Sequence, residues 1–277
     1  MIIKLLSFGD LEAQEDYLAR FTAIELSTYD LILFTGDIPN PAIFKLLSKQ
    51  MVEKGLGDLK GKPNIAKETE PKEALKKVEK EFWMTLNYFK KLHETGKFYG
   101  VWGNADNMKM LNKVPIQNFI NLAHNKIIKV ARYSLIGYNG RPLYIFEKEN
   151  KEQWAFEEEK AYKDLEMLFK KVNPSKTILL THAPPYQILD QVDKNYRKYA
   201  IGTYGKKAIE GHIGSIAFRK IVEKYQPLIH IFGHIHESKG VKKLNNTTCI
   251  NTGCLGEHKE YAVTTINEHV RVKFNKV

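Results

Sequence analysis

Five short apolar runs constrain this 277-residue chain more than any other feature. Ile2 to Phe8, Leu31 to Thr35, Phe98 to Trp102, Thr177 to Thr181 and Leu228 to Phe232 each have the length of a strand, and each ends in polar, often glycine-containing sequence. Segments with helical spacing lie between several of them. Glu12 to Leu26 is one. Phe156 to Val172 is another, with Ala161, Leu165, Leu168 and Val172 on one face. It opens with Glu157-Glu158-Glu159 and closes with Lys170-Lys171, which matches the helix dipole. This alternation predicts βαβ units around a mostly buried sheet.

After about residue 240 the helical patterns stop. Thr247 to Asn251, Tyr261 to Ile266 and Val270 to Phe274 read as successive strands, the last two joined by Asn267-Glu268-His269. The expected class is α/β, a sandwich of two sheets flanked by helices, in one domain over residues 1–277. An insertion at about 44–95 interrupts it. Gly55, Gly57, Gly61, Pro63 and Pro71 break its first part, and a helix then begins with Pro71 in the favoured first position. Leu75, Val78, Phe82, Leu86 and Phe89 form an apolar stripe on that helix, which predicts packing against the body of the domain.

No apolar run approaches the roughly 20 residues of a membrane span, and the first residues carry no long signal-type core. A cytoplasmic protein without membrane association is expected. Cys249 and Cys254 form no CxxC signature, so reduced thiols are the default. The net charge of +11 draws attention to polyanions, but only six of the 43 cationic residues are Arg, the type suited to bidentate phosphate recognition. A Lys-rich solvated surface is favoured over a dedicated nucleic-acid face.

The residues just past each run carry the chemistry. The five ends read Gly9-Asp10-Leu11-Glu12, Gly36-Asp37, Gly103-Asn104-Ala105-Asp106, Thr181-His182-Ala183-Pro184-Pro185 and Gly233-His234-Ile235-His236. Every one places a potential metal ligand at the carboxyl end of a strand, where open α/β sheets bind ligands. His234 and His236, one residue apart just past a strand, can aim in different directions and so serve two ions.

This ordered set resembles the calcineurin-like metallophosphoesterase superfamily, over about residues 1 to 256. The resemblance implies a four-layer αββα sandwich of two mixed sheets, two divalent metal ions and hydrolysis of phosphate mono- or diesters by metal-activated water. It assigns Asp10, residue 12, Asp37 and His236 to one ion, and Asp37, Asn104, His182 and His234 to the other, with Asp37 bridging. Mn²⁺ is the first expectation, with Fe, Zn, Co, Ni or Mg as alternatives. A non-catalytic metal-binding or interaction module on the same fold, and a nuclease, are the rival readings.

Two positions depart from the family's pattern. Glu12 stands where the first motif has His; it either ligates, hardening that site toward Mn²⁺ or Mg²⁺, or turns to the N-terminus of the following helix. Ala105 stands where many members have a His that assists the leaving group, worth typically about 10²–10⁴-fold. His212, in Gly211-His212-Ile213-Gly214-Ser215, is a candidate substitute, because this segment reads as opening a helix whose N–H groups face a phosphate; it is otherwise a capping-region residue. Asp106 either orients a metal ligand or ends a turn. Asn251-Thr252-Gly253-Cys254 resembles the family's turn near the metals, with Gly253 a conformational requirement and Cys254 a packing residue.

Overall fold

The computed structural model describes residues 2–11, 20–21, 23–38, 71–106, 111–143, 154–194 and 210–277. In chain order the strands are β1 (Ile3–Phe8), β2 (Leu31–Phe34), β3 (Phe98–Gly100), β4 (Asn121–Leu122), β5 (Ile127–Val130), β6 (Tyr133–Tyr138), β7 (Arg141–Pro142), β8 (Ala155–Phe156), β9 (Thr177–Thr181), β10 (Ile229–Phe232), β11 (Gly240–Leu244), β12 (Thr247–Asn251), β13 (Glu260–Ile266) and β14 (Val270–Lys276). The described α-helices are α1 (Pro71–His93), α2 (Glu158–Phe169), α3 (Ile216–Tyr225) and the single-turn α4 (Leu255–His258).

Two six-stranded sheets result, ordered β14-β13-β1-β2-β3-β4 and β11-β12-β10-β9-β6-β5, with β7 and β8 pairing separately. Both are mixed. β1, β2 and β3 run parallel, as do β6, β9, β10 and β12, while the outer pairs β1–β13, β13–β14, β11–β12 and β5–β6 are antiparallel.

Alternation along each strand builds the layers. Leu6 and Phe8 of β1 join Ile32 and Phe34 of β2 against Phe82, Leu86 and Phe89 of α1. Leu5, Leu31 and Leu33 point the other way and meet Ile178, Leu180, Ile229 and Ile231 of the second sheet. On that sheet's far face, Leu179 and Phe232 pack against Leu165, Phe169, Phe218 and Ile221 of α2 and α3. The order is helix, sheet, sheet, helix. Each side chain buried in these seams contributes about 1.5–3 kcal/mol.

All five expected strands form. The expected helix over Phe156 to Val172 is α2, and Pro71 starts α1, whose buried Phe82, Leu86 and Phe89 face the first sheet as the stripe requires. Residues 44–70 of the expected insertion lie outside the described residues. So does most of the helix expected over Glu12 to Leu26; Arg20 and Phe21 are helical, but the chain then turns and Leu26–Thr28 forms a 3₁₀ turn instead.

Three features correct the sequence reading. The β5–β6 hairpin was not expected, although β6 is fully buried and pairs with β9. The edge strand β11 carries Lys242 and Lys243 at exposed positions, a charged edge without apolar alternation. Helices do not stop after residue 240, because α4 follows Cys254.

Candidate metal centre

Parallel pairing sets the positions. β1, β2 and β3 end side by side in one sheet, β9 and β10 in the other, and each delivers its ligand candidate just past its last residue. Three of the exits use the left-handed backbone region: Asp10 at φ 50°, Asp37 at φ 63° and His234 at φ 70°. Such residues are uncommon and cluster where surrounding structure forces a side chain into a functional aim. Hydrogen bonds supply the force. The Asp10 N–H donates to the Gly36 carbonyl at 2.9 Å, the Leu11 N–H to Asp37 at 2.8 Å, and the Gly233 N–H to His182 at 3.0 Å.

The glycines before the ligands are required by close approach. A Cβ on Gly103 would stand 2.0 Å from Asp37 Oδ1 and 2.6 Å from His182 Cε1. One on Gly233 would stand 2.5 Å from Asp10 Oδ2. Any side chain at either position would fill the space between the converging loops.

His182 is the hub. Its Nδ1 lies 2.8 Å from the Thr35 carbonyl, a contact that needs a hydrogen on Nδ1 and turns Nε2 inward. Around Nε2 stand Asn104 Oδ1 at 3.0 Å, His234 Nδ1 at 3.1 Å and Asp37 Oδ2 at 3.3 Å. Two imidazole nitrogens, a carboxylate oxygen and an amide oxygen in one spot are a poor hydrogen-bond set and a good ligand set, since all four can turn lone pairs to one cation. Asp37, His182 and His234 qualify as a group able to hold a metal ion. The residues present fit such an ion.

The second cluster centres on Asp10. His236 Nε2 lies 3.0 Å from its Oδ1, and the His234 N–H donates to its Oδ2 at 3.2 Å. Asp37, the expected bridge, groups with His182 and His234. Glu12 lies outside the described residues.

The electrostatics ask for positive charge. Burial opposes ionisation of Asp37, yet the His182 imidazole beside it and the Ala105 N–H hold its carboxyl below the usual range. Against the cost of burial, Asp37 and then Asp10 raise His182 to about 9. Asp10 likewise raises His236 to about 12, also against burial. Burial and the neighbouring His182 charge push His234 well below its ordinary value. Buried carboxylates thus retain protons on two of three imidazoles, and the same field attracts a metal cation.

Asp106, expected either to orient a metal ligand or to end a turn, binds main-chain N–H groups of two loops. It is buried, and its Oδ2 accepts the N–H of Gly103 at 2.7 Å and of Asp37 at 3.0 Å, while Oδ1 accepts Ile38 at 2.8 Å. Burial and the charge of Asp37 push it up to about 7, against those three donors. Ala105, beside it, uses its N–H on Asp37 Oδ1 at 2.7 Å. Gly253 adopts φ 66°, as its expected conformational role requires.

His212 needs a correction. It does not open a helix: α3 starts at Ile216 with Ser215 as its cap. The N–H groups expected to face a phosphate are taken, because Glu158 accepts from Ile216 at 2.9 Å, from Ala217 at 2.8 Å and from the Ser215 hydroxyl at 2.6 Å. A carboxylate already occupies the anion site. His212 instead sits in the preceding loop with Nδ1 2.7 Å from buried Asp190, and no hydrogen bond among the described residues joins it to the ligand candidates. The next residue, Ile213, packs with Val192 and with Ile235, which lies between His234 and His236.

Cys254 is more than packing. Its Sγ donates to the Asp10 carbonyl at 3.0 Å and accepts the Glu257 N–H at 3.3 Å, and Glu257 reaches His236. Glu257 escapes a reading of the sequence because no motif contains it. No helix among the described residues is long and apolar enough to cross a membrane.

Comparison with known proteins gives a consistent result. The family model of the calcineurin-like phosphoesterases matches residues 3–238. The uncharacterized protein MJ1162 of Methanocaldococcus jannaschii is 30% identical over 152 residues, 54% of this chain and 60% of that protein, so the match spans less than two thirds of the relative. TT1561 of Thermus thermophilus shares the fold with a TM-score of 0.60 at 16% identity, covering 100% of this chain and 99% of that one. A dimetal phosphatase from Danio rerio gives a TM-score of 0.57 at 11% identity, covering 98% and 95%.

Proposed function

Because the chain belongs to the calcineurin-like phosphoesterase family, we propose that it is a metal-dependent phosphoesterase that cleaves phosphate mono- or diesters at a centre of two divalent ions. The observation that carries this reading is the convergence of Asn104, His234 and Asp37 within 3.0–3.3 Å of His182 Nε2. Asp37, Asn104, His182 and His234 would hold one ion; Asp10, Asp37 and His236 would hold the other, with Glu12 as a further donor. Mn²⁺ is the first metal to try, since the donors mix imidazole with hard oxygen. Two bound ions would supply Lewis acidity to the phosphoryl group and an activated water for in-line attack.

The chain's own residues do the rest. Thr35 fixes the His182 tautomer through Nδ1. Asp106 holds the Asp37 and Gly103 backbones, so the carboxylate and Asn104 keep their relative placement. Ala105 has no proton to give. His212 would take that role as the imidazolium, with Asp190 accepting from Nδ1–H and the proton on Nε2 passing to the leaving-group oxygen.

Initial rates on chromogenic mono- and diesters with Mn²⁺, Co²⁺ or Ni²⁺ test the reading. Hydrolysis is expected, and His182→Ala and Asp37→Ala should each lower it by roughly 10²-fold or more. Full activity in both variants would overturn it. For His212→Ala the loss should be about 10²–10⁴-fold on alkyl esters and small on nitrophenyl esters, which need no acid. Equal losses on both would remove His212 from the mechanism.

A further inference from the structure

The short segment Cys254–Glu257 lies outside every ligand motif, yet it touches both residues of the Asp10–His236 cluster. From Cys254, the Sγ donates to the Asp10 carbonyl at 3.0 Å and accepts the Glu257 N–H at 3.3 Å. The Leu255 N–H adds a bond to Gly9 at 3.0 Å, and the Gly256 N–H one to Asp10 at 3.3 Å. From Glu257, Oε2 lies 3.3 Å from His236 Nδ1. The other ring nitrogen, Nε2, faces Asp10 Oδ1 at 3.0 Å.

Imidazole edges decide the rest. A histidine that ligates through Nε2 must carry its hydrogen on Nδ1, and a carboxylate acceptor there fixes both tautomer and ring plane. His182 obtains this from the Thr35 carbonyl. His236 is partly buried and sits at the start of a 3₁₀ turn, so its ring takes its aim from the side chains on its two nitrogen edges.

We propose that Glu257 is a positioning residue for the metal centre, orienting His236 so that Nε2 and Asp10 converge on one ion, with Cys254 seating both Glu257 and the Asp10 backbone. This rests on the metal-dependent reading above. It also locates a support for the cluster whose motif lacks the family's usual His, because Glu12 replaces it. The donors of His236, Cys254 and Glu257 lie within 4.8 Å of one another, which raises direct sulfur ligation as a competing arrangement. Two observations argue against it. The Cys254 sulfur already bridges the Asp10 carbonyl and the Glu257 N–H, contacts that ligation as a thiolate would rearrange, and an ion on the Nδ1 edge cannot be the one Asp10 shares on the Nε2 edge.

Calorimetric titration of the chelator-treated protein with Mn²⁺ tests the proposal. The wild type should bind two ions. Glu257→Ala should weaken one of them by about 10–100-fold and leave the other within about twofold, and Glu257→Gln, which keeps an acceptor without the charge, should lose less. Two unchanged affinities, or equal weakening of both ions, would overturn the positioning role and leave the two-ion reading standing. A wild type that binds no ion would overturn both. A thiolate-to-cobalt absorption band in the Co²⁺ form, lost in Cys254→Ser and kept in Cys249→Ser, would replace orientation by direct sulfur ligation.

Discussion

Asp106 ligates nothing in the proposed centre, yet both its oxygens serve the main chain around it. It accepts from Asp37, Ile38 and Gly103, whose N–H groups have no water to turn to once the carboxyl is removed. Asp106→Ala should therefore cost about 2–4 kcal/mol in urea unfolding. Asp106→Asn should also destabilise, because its amide turns a donor toward donors. A neutral substitution would show that these bonds do not hold the loops. The contrast with the ligands explains what was legible in the sequence. Asp10, Asp37, Asn104, His182, His234 and His236 could be picked out because each has a ligand chemistry and a place behind an apolar run. Asp106 could be read only as orienting a ligand or ending a turn, because two of the N–H groups it holds lie 68 and 69 positions upstream, and Cys254 only as packing, because the backbone it holds lies 244 positions upstream.

Among the elements, β10 shows how a strand carries the site and limits stability in acid. His230 in its middle is buried, with Nε2 2.8 Å from the Thr181 hydroxyl, which itself donates to Ala183. Nε2 must then be the donor, and Nδ1 is left without a hydrogen-bond partner among the described residues. Burial lowers His230 to about 3. The unfolded chain binds its proton near pH 6.5 and the folded chain does not until about pH 3. Stability should therefore fall as pH drops through that window, by up to about 1.4 kcal/mol per unit from this residue. His230→Gln should flatten the slope of urea midpoints between pH 6 and 4 by about one proton; an unchanged slope would contradict it. The strands read from sequence were five apolar runs and three C-terminal segments rich in β-branched residues. The β5–β6 hairpin was missed because Ser134 and Gly137 interrupt β6, and Gly137 is there for contact: a Cβ would meet Ala123 at 2.6 Å.

At the scale of the molecule, the centre lies where the two sheets meet. Asp10, Asp37 and Asn104 come from one sheet, His182, His234 and His236 from the other, and the His182–Thr35 and His234–Asp10 bonds already cross between them. Ions bound there would tie the two halves through Asp37, which contacts the second sheet through His182. A sandwich of two sheets flanked by helices was legible because strands buried on both faces demand cover, while the four-layer order was what the resemblance implied. The most direct test is magnetic. With Mn²⁺ as the sole metal, electron paramagnetic resonance should show two ions per chain in exchange-coupled form, with the coupling lost in Asp37→Ala. A single ion per chain, or two magnetically isolated ions, would contradict a bridged two-metal centre.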